Sequence, residues 1–109
     1  MTARDRVTLS EISERCRMIH EFTATGKEAF LGSRLAQEAT IRCFEVIGEA
    51  TRRLPDSLKR SWPKVPWEDM SELRNVLIHE YDRIDPEEVW RAIVEKLPVI
   101  EKTVGRVRG

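Results

Sequence analysis

Arg74 and His79 are the side chains of this sequence best suited to joint chemistry. They stand in the run Leu73 to Ile84, which reads Leu-Arg-Asn-Val-Leu-Ile-His-Glu-Tyr-Asp-Arg-Ile. A guanidinium presents paired donors that match phosphate oxygens. An imidazole titrates near neutral pH, so it can remove one proton and deliver another. Those are the needs of RNA cleavage, in which the 2′-hydroxyl attacks its own 3′-phosphate and no metal is strictly required. Arg74 falls within a wide apolar arc of Leu73, Val76, Leu77, Ile78 and Tyr81. An always-charged group in such surroundings needs a partner or a functional reason. At about 100° per residue, Arg74 and His79 lie about 140° apart on a helix, so they flank a face rather than share it. A two-fold dimer pairing this helix with its mate can bring each residue to a copy of the other. On spacing alone, a structural arginine and a histidine interacting with the helix C-terminus account for the same residues.

The elements that must position this pair read as helices. A first helix is expected from about Thr8 to Thr25, with Thr8 and Glu11 at capping-box spacing, Ile12, Cys16 and Ile19 on one face, and Gly26 ending it. A loop with Gly26 and Gly32 leads to a second helix, about Ser33 to Leu54. That helix has one apolar stripe of Leu35, Ala39, Cys43, Val46, Ala50 and Leu54, and another of Ile41, Phe44 and Gly48. Two apolar sides imply more than one neighbour, and in so short a chain the second can be another subunit. Pro55, Pro63 and Pro66 punctuate the next stretch, around a short helical turn at Asp56 to Arg60. Pro66 suits the first turn of a third helix running to about His79 or Tyr81. Asp85 and Pro86 open a fourth helix, with Glu88 at capping spacing and Val89, Ile93, Leu97, Ile100 and Val104 as its core stripe. Pro98 should kink that helix or end it early, and the tail from Gly105 is expected to fray. The whole predicts one all-α domain over residues 1–109, an antiparallel up-and-down bundle of four to five helices.

Composition narrows the function classes. Of 109 residues, 40% are hydrophobic and 35% charged, a globular mix with solvated helix faces. Lys plus Arg and Asp plus Glu both total 19, giving zero formal net charge. That balance and the lack of a basic recognition helix argue against a helix-turn-helix DNA binder, so nucleic-acid contact should be local. Cys16 and Cys43 are far apart and form no Cys-x-x-Cys pair, so they read as buried thiols rather than zinc or redox ligands. No metal site and no cofactor are expected. The charged start of the chain lacks an apolar signal core, and no apolar run approaches the ~20 residues of a membrane span. A prokaryotic cytoplasm is the expected location.

The segment Arg74-Asn-Val-Leu-Ile-His-Glu-Tyr81 resembles the Arg-x-x-x-x-His-x-Tyr motif of HepT-like toxins in the HEPN superfamily. Ile41 to Ala50, ending Val-Ile-Gly-Glu-Ala, is similar to that family's second helix. Trp67, Ile84-Asp85, Val89-Trp90 and Leu97-Pro98 also sit where the family has similar residues. The resemblance covers nearly the whole chain, most specifically Thr40 to Pro98. It implies a HEPN-like helical bundle, active as a homodimer with a cleft between subunits, in which Arg74 and His79 are the ribonuclease residues. It also implies a type VII-like toxin–antitoxin pair with a small nucleotidyltransferase that transfers AMP from ATP onto Tyr81. The added bulk and negative charge would then exclude RNA phosphate. Transfer RNA is a plausible substrate on this resemblance. The alternative is a helical binding subunit of a nucleotidyltransferase without catalysis of its own.

Other candidates have simpler readings beside the functional ones. Asn75 lies one turn before His79 and can orient the imidazole or simply fill the helix surface. Glu49 sits in the family-like Gly-Glu-Ala stretch, yet Glu38, Arg42 and Glu45 share its arc, which favours a solvated ion-paired face. His20 has no partner pattern. Trp62, Trp67 and Trp90 do not interleave with basic runs and read as packing residues. Arg52, Arg53, Lys59, Arg60 and Lys64 make a basic stretch that can guide RNA, with a solvated turn as the default.

Overall fold

The computed structural model describes residues 1–73 and 85–108, and among them every regular element is a helix. α1 is Ala3–Phe22, α2 Lys27–Leu31, α3 Arg34–Arg53, α4 Asp56–Ser61, α5 Trp67–Ser71, α6 Pro86–Glu95 and α7 Leu97–Arg108. The all-α class expected from the sequence is what folds.

α1 starts earlier than the Thr8 cap predicts. Thr2 is the N-cap: its hydroxyl accepts from the Asp5 N–H at 3.1 Å, and the Asp5 carboxylate accepts from the Thr2 N–H at 3.1 Å. Both ends of a capping box are thereby satisfied one turn and a half upstream. Thr8 is instead a buried residue inside the helix, its hydroxyl donating to the Arg4 carbonyl at 3.1 Å. The helix ends at Phe22, and the chain turns through Gly26, whose φ of 97° favours glycine. The loop expected between Gly26 and Gly32 winds into the short α2, which buries Phe30 against the core and sets it 5.4 Å from Trp90.

α3 matches its expected bounds, with the Ser33 hydroxyl accepting from the Ala36 N–H at 3.1 Å. Both of its apolar sides are used within the chain: Cys43, Phe44, Ile47 and Ala50 join the core, and α3 packs against α1, α5 and α6. Leu35 departs from the predicted stripe and is 81% exposed. The antiparallel sense of α1 and α3 shows in the Arg53–Glu11 pair at 2.6 Å near one end and in Cys16 lying beside Cys43 further along.

Pro66 caps α5 rather than occupying its first position, and α5 stops at Ser71. The Ser71 hydroxyl donates to the Glu68 carbonyl at 2.9 Å, a local bond that competes with helix continuation. The expected run of this helix to His79 or Tyr81 lies outside the described residues. At the other end, the Asp85 carboxylate accepts from the Glu87 N–H at 2.9 Å and Pro86 takes the first helical position. Pro98 has the predicted effect: the helix breaks at Lys96 and α7 resumes at Leu97. The tail does not fray as expected, since α7 continues through Gly105 to Arg108 and buries Val104 and Val107. Val89, Ile93, Leu97, Ile100 and Val104 all belong to the continuous core cluster. Each such side chain, once fully buried, contributes roughly 1.5–3 kcal/mol.

Candidate active site

Arg74, Asn75, His79 and Tyr81 lie outside the described residues, so the structure speaks to what flanks them. Leu73, the residue before Arg74, is 1% exposed and joins the core together with Met70. Trp67 anchors the turn ahead of them: its indole N–H donates to the carbonyls of Lys59 and Trp62, at 3.2 and 3.1 Å. On the far side, the Asp85 cap leads within one turn to Val89, which is also fully buried. Leu73 and Val89 are thus core residues that flank the motif in sequence.

Glu49 is the candidate residue that falls within the described structure. Its Oε1 lies 3.9 Å from Arg42 Nη1, which itself donates to Glu45 Oε2 at 3.2 Å. The carboxylate shares a partly solvated face of α3 with two charged neighbours, a modest surface network. His20 is an exposed histidine whose Nε2 lies 2.6 Å from Glu101 Oε1, a partner on α7 that local spacing does not reveal. Arg53, from the basic stretch, is committed to Glu11. The three tryptophans all pack against the core.

Neither cysteine is a nucleophile in this fold. Both are free and buried. Burial, with the Glu101 charge and the Cys43 thiol nearby, pushes Cys16 up to about 12. Burial likewise raises Cys43, against the opposing effect of Arg15. The reactive form is the thiolate, and it is suppressed at both positions near neutral pH.

With the helical frame and the buried anchors of the motif in place, comparison with known proteins gives the class. The family model described as ribonuclease HepT-like matches residues 12–107. A Thermococcus cleftensis protein named Probable ribonuclease HepT is 36% identical over 101 residues, covering 92% of each chain. A Methanocaldococcus jannaschii protein named as a putative RNase is 37% identical over 106 residues, 95% of this chain and 97% of its own. A Caldanaerobacter subterraneus protein, also named as a putative RNase, is 31% identical over 103 residues, 94% and 92% of the two chains. No solved structure matches the chain. The chain belongs to the HepT-like ribonuclease family.

Proposed function

We propose that this protein is a metal-independent RNA endonuclease and the toxin of a toxin–antitoxin pair. The observation that carries the reading is family membership over nearly the whole chain combined with an intact Arg74-x-x-x-x-His79-x-Tyr81 motif. In the proposed reaction, His79 takes the proton of the RNA 2′-hydroxyl as its oxygen bonds to the adjacent phosphorus. The bond to the 5′-oxygen breaks, and that oxygen gains a proton from imidazolium or water. Arg74 donates to the non-bridging oxygens as negative charge accumulates on them. Asn75 orients the imidazole. The active form is a homodimer in which Arg74 of one subunit meets His79 of the other. The single domain spans residues 1–109, and the protein works in a prokaryotic cytoplasm. Among the described residues, no helix is long and apolar enough to cross a membrane.

Neutralisation comes from a partner nucleotidyltransferase that transfers AMP from ATP to the Tyr81 oxygen, releasing pyrophosphate. The bound adenylate places negative charge where the RNA phosphate would sit. The test is the intact mass of the chain co-expressed with the nucleotidyltransferase encoded beside it, with Tyr81→Phe as control. A mass gain in whole AMP units that disappears in Tyr81→Phe is expected. An unmodified chain that still binds the partner, and whose His79→Ala variant affects growth no differently, would contradict the reading and indicate a non-catalytic binding subunit.

A further inference from the structure

A groove of about 410 Å³ runs between the Trp62–Pro66 turn and the outer face of α7. Its walls include Trp62, Lys64, Val99, Lys102, Thr103 and Arg106. Three of these are cations, and no carboxylate lines the groove among the described residues. In a chain of zero formal net charge, such a wall is a local concentration and not a general basic surface. Some exposed cations elsewhere are held by carboxylates: Arg17 pairs with Glu14 and Glu21, Lys27 with Glu87, and Arg34 with Glu38. Among the described residues, Lys64, Lys102 and Arg106 pair with no carboxylate. Lys102 and Arg106 are one helical turn apart, so both ammonium and guanidinium project from the same side of α7.

The groove also adjoins a cleft that reaches the last described residue before the motif. Pro66 and Val99 line both this groove and a smaller cleft of about 120 Å³, whose wall includes Leu73. Leu73 is the residue before Arg74. The cleft carries Asp69, Glu95 and Lys96, so the net positive wall belongs to the groove.

We propose that this groove holds the phosphodiester backbone of single-stranded RNA, with Lys64, Lys102 and Arg106 as phosphate partners, and leads the strand toward Arg74. The proposal rests on the ribonuclease reading above and gives it a substrate-binding surface. Single-stranded RNA is the occupant because Trp62 presents an aromatic wall beside the cations, and only an unstacked base can use it.

The experiment is salt-dependent binding of a fluorescent single-stranded RNA to full-length His79→Ala protein, which binds without cutting. Its partner is the same protein with Lys64→Gln, Lys102→Gln and Arg106→Gln. A control carries Arg17→Gln, Lys27→Gln and Arg34→Gln, which changes net charge equally at carboxylate-paired sites. Loss of three phosphate contacts should flatten the slope of log affinity against log salt by about two, at about 0.7 per contact for a single strand. The control slope should stay at the parent value. Parent binding with an unchanged slope in the groove variant, or equal flattening in the control, would overturn the groove and leave the ribonuclease reading standing. No RNA binding by the parent would overturn both. Far-ultraviolet circular dichroism of the groove variant at the parent value confirms that its loss of slope is not loss of fold.

Discussion

Cys16 lies where α1 meets α3 and α7, and its environment makes ionisation costly. The thiol is pushed from an ordinary 9.0 to about 12, chiefly by burial and then by the Glu101 charge. The unfolded chain therefore loses this proton at lower pH than the folded one. The stabilisation is complete below about pH 9 and is lost as pH rises from there through about 12. Between pH 8 and pH 10, unfolding free energy should fall by about 1 kcal/mol more in the parent than in Cys16→Ala, measured by urea unfolding under reducing conditions. Equal losses would show that the thiol titrates normally in the fold. The same burial that gives this pH sensitivity removes Cys16 from any catalytic role.

At the scale of elements, sequence legibility depended on whether local signals had a rival. α3 was legible at both ends, since Ser33 supplies the cap and Pro55 prevents continuation. The break before Pro98 was legible because a proline inside a helix removes a hydrogen bond wherever it sits. The start of α1 was not, because Thr2 and Thr8 each have an acidic residue three positions on, and pattern alone does not choose between them. Thr2 prevails because no helix breaker stands between the two. Gly105 reads as a frayed end, yet its cost of about 1 kcal/mol within α7 is offset by burial of Val104 and Val107. The cap at Asp85 sets the entry into α6, the first described element after the motif. Asp85→Ala should destabilise the protein by about 1 kcal/mol in urea unfolding. A loss below a few tenths would mean that Pro86 and the packing of α6 fix that entry without the carboxylate.

Across the whole molecule, charge is balanced in total and uneven in place. Carboxylates partner Arg17 on α1 and Arg34, Arg42 and Arg53 on α3, whereas Lys102 and Arg106 on α7 share a groove wall with Lys64. The basic stretch after α3 was visible in the sequence, but only Lys64 of it reaches this groove. Lys102 and Arg106 come from α7, and no linear reading brings them to the Trp62–Pro66 turn. The motif residues show the opposite balance: their identity is plain in the sequence, and their pairing across subunits is a proposal that geometry must test. Family membership points to ribonuclease activity, and the all-helical frame is consistent with that family.

The most direct test of that activity is the rate at which the purified chain, with Tyr81 unmodified, cuts cellular RNA in the presence of a metal chelator. The account predicts cleavage by the parent and a loss of about 10²–10⁴-fold in His79→Ala, the range for removal of an acid–base group. Intact RNA in every class, or a His79→Ala variant as fast as the parent, would contradict it.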